Sequence, residues 1–331
     1  MTLTVALVGA GGIGETHAAS LSATDRATLA GVCDLDPARA EALASATDAE
    51  AYTDARALLD EVEPDAVYVT TPPRARLPVV RDAAERGMAV FCEKPLAATH
   101  EEALAIVDLV ADHGVAFMVG FCLRFCDPLQ RLHSLVERGD LGEPVMLFST
   151  RAGWGVPDGS NWRTTPGEAC GVSVESVSHN VDLLRWLGGE ITRLSGERTN
   201  VTYPDLESFD DNVSASVAFE SGAVGSIRNS WTSHLEYFRH GVVGTEGSAV
   251  VEGDGWWRLD RLTVDTAAGD GPETVVFDEA TATDMGYRAE TEAFCAALEH
   301  GDDSPVTAVD GLRAFELTAA VGCDSAGGPL E

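Results

Sequence analysis

A chain of 331 residues is longer than one hydrophobic core usually serves, so two domains are expected, and 45% hydrophobic residues is ordinary for a globular protein. Acidic residues number 54 against 22 basic ones, and a surface of net charge -32 repels nucleic acid and anionic lipid, which excludes both as partners. No apolar run approaches the roughly 18 residues of a membrane span, and the N-terminus passes straight into a strand pattern, so a cytoplasmic, unprocessed protein is expected.

In chain order, near-continuous apolar runs at Thr4–Val8, Leu29–Cys33, Ala66–Val69, Ala89–Cys92 and Ala116–Val119 predict strands buried on both faces. Between them Pro37–Ala46, Leu77–Arg86 and Glu101–His113 carry apolar residues at helical spacing. Such alternation predicts a doubly wound parallel sheet, a Rossmann α/β domain over residues 1–122. The pattern then changes. A helix at Asp127–Arg138 and a strand around Val145–Arg151 lead into a Gly- and Trp-rich loop, Ala152–Cys170, and one helix, Val172–Leu187. Runs at Val213–Phe219, Val224–Ser230, Phe238–Val243, Ala249–Val251 and Arg258–Val264 predict a large, open, mainly antiparallel sheet. Two helices, Tyr287–Leu298 and Val309–Val321, close the chain, and residues 123–331 are assigned together to an α+β domain for substrate binding and oligomerisation.

The basic residues are 21 Arg and a single Lys, Lys94. Arginine is the more weakly hydrated cation, and carboxylates repel one another little where salt shortens screening to a few Å, so the composition predicts adaptation to molar salt. The seven cysteines (Cys33, Cys92, Cys122, Cys126, Cys170, Cys295, Cys323) form no paired framework, and no zinc spacing accompanies Cys122 and Cys126. Neither a disulfide nor a metal is expected.

The first strand runs into Gly9-Ala10-Gly11-Gly12-Ile13-Gly14, a G-x-G-x-x-G between strand and helix. Its glycines allow a tight turn and close approach of a pyrophosphate, and the following helix N-terminus offers N–H groups to phosphate. Asp34 lies twenty residues beyond Gly14, at the end of the second strand. A carboxylate there accepts hydrogen bonds from ribose hydroxyls and repels a 2′-phosphate, which favours NAD without excluding NADP. The competing interpretation of Asp34 is a turn residue before Pro37.

Glu93-Lys94-Pro95 follows the run Ala89–Cys92. Ligands of an open parallel sheet bind outside the carboxyl ends of its strands, and Lys94 occupies such an end. An ammonium there can stabilise the alkoxide that forms as hydride leaves a substrate. An ordinary surface lysine is the alternative, and a composition in which every other basic residue is Arg speaks against it. On the helix from Val172, Glu175, His179 and Asp182 stand at i, i+4 and i+7, on one face, while Val177, Val181 and Leu184 face the other way. A histidine among carboxylates suits general base work, and a solvated polar face is the alternative.

With these residues assembled, the chain resembles the Gfo/Idh/MocA oxidoreductases, the family of glucose–fructose oxidoreductase and inositol dehydrogenase. The resemblance covers nearly the whole length. It rests on Gly9–Gly14, Asp34, Thr71-Pro72, Glu93-Lys94-Pro95, Gly120-Phe121 with Arg124-Phe125, and the stretch from Glu175 through His179 and Asp182 to Trp186. It implies that Gly9, Gly11, Gly12, Ile13, Gly14, Asp34, Thr71, Pro72, Glu93 and Lys94 border the cofactor. It also implies that Lys94 contacts the reacting hydroxyl, that His179 accepts its proton, and that Asp182 binds substrate or orients His179. The chain departs from the family pattern in Glu175, where Asp is commoner, in the lone Gly171 before the helix, and in Arg76, where His often follows the T-P motif.

Arg124, and the loop residues Trp154, Trp162 and Arg163, are candidates to line the substrate site beside Lys94, Glu175 and His179. The implied activity is hydride transfer between NAD(P) and a secondary alcohol of a sugar, polyol or inositol-like compound. An NAD-dependent glycosidase acting by transient oxidation and elimination is the alternative within the family, and a non-catalytic dinucleotide sensor the alternative outside enzymes. Family members pair through the open sheet, which implies a homodimer or homotetramer. His17, after the glycine loop, is expected to be structural, and His234 and His240 have no evident partner in the sequence.

Overall fold

Runs of Val, Ala and Leu without polar interruption build the first sheet of the computed structural model, which describes residues 2–159, 161–165, 170–255 and 257–321. The chain divides into two compact units, Met1–Cys122 with Tyr287–Phe315, and Leu123–Gly286 with Glu316–Glu331.

In the first unit β1 (Leu3–Val8), α1 (Gly12–Ser22), β2 (Ala27–Cys33), α2 (Pro37–Thr47), β3 (Glu50–Tyr52), α3 (Ala55–Val62), β4 (Ala66–Val69), α4 (Arg76–Ala84), β5 (Ala89–Glu93), α5 (His100–His113) and β6 (Phe117–Gly120) alternate, and of these β3 and α3 have no counterpart among the predicted elements. The strands are all parallel in the order β3-β2-β1-β4-β5-β6. Strand order reverses beside β1, so the ends of β1 and β4 form the switch point where such sheets bind ligands. Side-chain caps fix the helix starts: Asp36 receives the Ala38 N–H at α2, Asp54 that of Ala57 at α3, and Thr99 makes a capping box with Glu102 at α5. The core is aromatic at its centre. Tyr68 and Phe91 stack at 4.5 Å, with Phe294 edge-on to both, and each such ring contributes about 2–3 kcal/mol by burial.

Phe294 comes from the end of the chain, and this corrects the expected division. Helix α10 (Tyr287–His300) and most of α11 (Ala308–Ala319) group with the first sheet, although the whole of 123–331 was assigned to the second domain. Phe294 completes the aromatic core, the Val119 N–H donates to Val306 O, and Gly311 lies against Leu96 and Val119. Apolar periodicity alone does not say which sheet a closing helix covers.

The second unit holds α6 (Asp127–Glu137), β7 (Pro144–Trp154), α7 (Val172–Glu175), α8 (Val177–Gly188), β8 (Ile191–Thr199), β9 (Asn212–Phe219), β10 (Val224–Ser230), β11 (Thr232–Gly244), β12 (Gly247–Asp254), β13 (Arg261–Thr266), β14 (Glu273–Val276) and α9 (Glu279–Asp284). Its eight strands run β14-β13-β12-β11-β7-β10-β9-β8, antiparallel except for the β7–β10 pair. Helix α8 packs on β7 and β10. The single helix expected over Val172–Leu187 is divided at Ser176, whose hydroxyl receives hydrogen bonds from Trp231 Nε1 (3.1 Å) and Arg151 Nη1 (3.3 Å) that tie this point to the sheet. Gly171 precedes α7 because a Cβ there would stand 2.1 Å from Asp210 N. Asp210 in turn caps α7 by accepting from the Ser173 N–H (2.8 Å) and hydroxyl (2.5 Å), and burial holds its carboxyl above the ordinary value despite these bonds. Among the described residues no helix is long and apolar enough to cross a membrane. Cys323 lies outside them, and Cys33, Cys92, Cys122, Cys126 and Cys295 are buried thiols.

Candidate active site

The candidate residues fall into two groups, one in each unit. In the first unit the glycine turn is shaped by close approach. Gly9 has φ +111°, and a Cβ on it would lie 2.7 Å from the Thr70–Thr71 peptide, while one on Gly14 would lie 2.1 Å from Gly9 O. Nothing stands within 4 Å of where a Cβ of Gly11 or Gly12 would be. Gly11 is the N-cap of α1, and no side chain caps the helix among the described residues, so its first N–H groups face this open cradle. That geometry fits a pyrophosphate. Asp34 fits a ribose: its Oδ2 accepts from Ala10 N–H (2.8 Å) and its Oδ1 from Asp36 N–H (2.9 Å), leaving each oxygen a lone pair for a hydroxyl. The turn interpretation and the cofactor interpretation of Asp34 are therefore compatible, because the same carboxylate braces the glycine loop and its own turn. Thr71 Oγ1, beyond β4, is a buried hydroxyl with no hydrogen-bond partner among the described residues.

Lys94 is half-buried at the end of β5, and both groups of its backbone are held. Its N–H donates to Glu93 Oε2 (3.0 Å), and its carbonyl accepts from Arg76 Nη2 (3.1 Å). Arg76, buried, also donates through Nε to Thr71 O (3.0 Å), so one guanidinium joins the T-P turn to the E-K-P turn. That is what Arg does here in place of His. Glu93 is buried too. Burial alone would raise its carboxyl, but the hydrogen bond and charge of His17, with Lys94 and Arg76 adding, hold it below the ordinary value.

In the second unit α8 is buried on every face over residues 177–184, which rules out the solvated polar face. His179 and Asp182 are 3% and 1% exposed, as inaccessible as Val177, Val181 and Leu184 opposite. Asp182 takes a bidentate pair from Arg124, Nε to Oδ2 at 2.9 Å and Nη2 to Oδ1 at 2.5 Å. Glu175 Oε1 accepts from Arg163 Nη2 (2.8 Å), and that guanidinium lies 4.5 Å over the Trp162 ring. The remaining candidate, Trp154, expected in the loop, ends β7 instead; it is exposed and stacks on His234 (5.1 Å).

The surroundings of His179 include residues that the sequence did not mark. The Trp257 ring meets its imidazole edge-on at 5.8 Å, and the Arg151 guanidinium covers Trp257 at 4.0 Å while bonding Ser176. Trp257 has φ +55°, a backbone rarely adopted by a bulky residue, and strain of this kind concentrates at functional sites. Beneath α8, Asn180 donates to Ser149 Oγ (2.6 Å) and accepts from Asn229 (2.7 Å), and Ser149 meets His240 Nδ1 (2.8 Å). Burial, with the charge of Arg151, pushes His240 down to about 3, so it is neutral and structural. The positive φ of Trp257 has no sequence signal beyond the preceding Gly255, and Arg151 reads simply as a strand residue.

Residues 3–121 match an oxidoreductase family model described by its NAD-binding Rossmann fold, and residues 129–250 match the GFO/IDH/MocA C-terminal domain. The chain belongs to the GFO/IDH/MocA oxidoreductase family. An inositol 2-dehydrogenase of Rhizobium meliloti (strain 1021) is 30% identical over 332 residues, 97% of this chain and 96% of that protein. A D-xylose 1-dehydrogenase (NADP(+)) of Haloferax volcanii is 30% identical over 320 residues, 95% of each. The solved structure of a putative myo-inositol dehydrogenase from Sinorhizobium meliloti 1021 has a TM-score of 0.82 and 28% identity, covering 97% of this chain and 96% of that one. This GFO/IDH/MocA member is thus an NAD-dependent oxidoreductase, with its glycine turn and Asp34 in an NAD-binding domain.

Proposed function

We propose that this enzyme oxidises a secondary alcohol of a sugar, polyol or inositol-like substrate, reversibly and with NAD as hydride acceptor. The observation that carries the proposal is the only lysine of the chain, held by both its backbone groups at the carboxyl end of β5 beside the T-P turn. NAD supplies the electrophilic carbon that receives the hydride. The chain's own residues do the rest: Lys94 donates to the substrate oxygen and stabilises the alkoxide, and His179, buried on α8, takes the hydroxyl proton. Arg124 and Asp182 act as a pair that holds α8 and presents polar groups to substrate, and Glu175 with Arg163 and Trp162 shapes the substrate wall, with Trp154 as a more peripheral contributor.

Asp34 favours NAD over NADP, since a second negative charge at the ribose would meet a carboxylate already committed to Ala10 and Asp36. The inositol and xylose dehydrogenase relatives support a polyhydroxylated substrate. The acidic composition supports operation in concentrated salt inside the cell, and membership of the family supports a homodimer or homotetramer formed through the open sheet. The test is formation of NADH or NADPH from myo-inositol, scyllo-inositol, D-xylose and D-glucose, with NAD or NADP respectively, in dilute and in molar salt. Net NADH from at least one of them, faster with NAD, is the expected result. Release of an aglycone from a glycoside without net NADH would overturn the proposal.

A further inference from the structure

Beneath the E-K-P turn lies a buried imidazole–carboxylate pair for which substrate binding supplies no reason. His17, on α1, is completely buried, and Glu93 is 3% exposed. His17 Nε2 and Glu93 Oε1 are 2.8 Å apart, and the carboxylate can only accept, so Nε2 carries the proton. The imidazole is fixed by aromatic rings on three elements, Phe91 at 4.9 Å, Tyr68 at 5.7 Å and Tyr287 at 5.8 Å. Strand β6 also closes in on the carboxylate: a Cβ on Gly120 would lie 3.1 Å from Glu93 Oε1, the oxygen that His17 bonds. Glu93 therefore has no freedom to turn, and its second oxygen receives the Lys94 N–H.

We infer that His17, acting through Glu93, positions Lys94 for catalysis. The inference rests on the proposed role of Lys94. A buried polar pair is weak evidence for stability, because a well-packed apolar pair of similar volume often serves as well. What this pair achieves that an apolar one would not is to present a directed acceptor to the Lys94 backbone at the point where its side chain leaves the strand. Arg76 holds the carbonyl on the far side, so the peptide at Lys94 is fixed from two directions. His17 touches neither end of the lysine. It is a positioning residue.

The test is a double-mutant cycle of His17→Leu with Lys94→Ala, reading NADH formation from whichever of the four compounds above is turned over. Loss of position by an ångström costs on the order of 100-fold, so His17→Leu should lower kcat by about 10- to 100-fold with the KM for NAD within about threefold of wild type. In the Lys94→Ala background the same change should lower kcat by no more than about threefold, since the group being positioned is gone. The single lysine gives a second measurement without turnover. In the enzyme without added cofactor, the rate of acylation of Lys94, followed by mass spectrometry, should change at least about threefold in His17→Leu and stay at the wild-type rate in a variant of the exposed His100. His17→Gln, whose amide can still donate to Glu93, should restore most of kcat. Should His17→Leu fail to fold, Glu93→Gln enters the same cycle. Full loss on top of Lys94→Ala, or wild-type kcat and acylation in His17→Leu, would overturn the inference. Wild-type turnover in Lys94→Ala alone removes the proposed role of Lys94, and a positioning role with it.

Discussion

Asp182→Leu is the sharpest perturbation of the second unit. It deletes a carboxylate that is 1% exposed and deprives the Arg124 side chain, 11% exposed, of two hydrogen bonds at 2.9 and 2.5 Å. Hydrogen bonds to charged groups contribute about 1.5–3 kcal/mol each, and removing one partner of a buried ion pair costs about 3–5 kcal/mol because the other charge stays behind. The pair Arg131–Asp127 has the same chemistry with both side chains about half exposed, so it contributes only a small fraction of that. Urea unfolding of Asp182→Leu, Asp127→Ala and the double variant Arg124→Met/Asp182→Leu therefore gives three distinct outcomes. Asp182→Leu should lose about 3–5 kcal/mol, Asp127→Ala should be close to wild type, and the double variant should recover at least half of the loss. Molar salt should leave the first figure nearly unchanged, because the pair is out of reach of screening ions. If Asp182→Leu unfolds at the same urea concentration as Asp127→Ala, or if removing both partners is as costly as removing one, then the Arg124–Asp182 pair does not hold α8 and Asp182 belongs to the substrate alone.

Three further outcomes follow from the site. Lys94→Ala should bind NAD as wild type does, by fluorescence titration, while kcat falls by roughly 100-fold or more, and Lys94→Arg should not restore it because a guanidinium cannot deliver one compact donor at the same point. Asp34→Ala should raise the KM for NAD and lower that for NADP, narrowing the preference by about tenfold or more; an unchanged ratio would remove Asp34 from ribose recognition. His240 is held near 3 in the folded chain but takes a proton at its ordinary value when unfolded, so the unfolded state binds the extra proton between those two values. Stability should thus be intact above the ordinary histidine value and fall as pH drops through that window, and His240→Asn should flatten this limb in pH-dependent urea titrations.

The sequence announced the parts whose chemistry is local. A glycine-rich turn between strand and helix, an acid at the next strand end and a lysine before proline can each be placed from a few residues, because the parallel sheet puts every strand end on one edge. The antiparallel sheet was legible in outline, but the depth of α8 was not, since its pattern left a solvated polar face open. What stayed hidden depends on contacts between residues far apart in the chain. Arg124 lies 58 residues from Asp182, and His17 lies 76 from Glu93. Nothing in either local pattern distinguishes a paired carboxylate from one aimed at a ligand. The closing helices misled for the same reason: amphipathic spacing declares that a face is covered, and Phe294 shows by which sheet only once the fold is formed.

Asp34, Glu93 and Asp182 share a design that changes how such residues should be tested. Each gives part of its carboxylate to the fold: Asp34 to the glycine loop, Glu93 to His17, Asp182 to Arg124. For Asp34 and Glu93 the second oxygen goes to the next turn of the chain, so fold and site meet in one group. An amide at any of these positions keeps the shape but puts N–H where an acceptor was needed, facing a donor already there. Alanine removes the brace with the charge. Neither substitution separates structure from catalysis by itself. The separation has to come from the partner: a change at His17 or Arg124, which need not touch the reacting atoms, alters turnover only to the extent that the carboxylate it holds was passing position on.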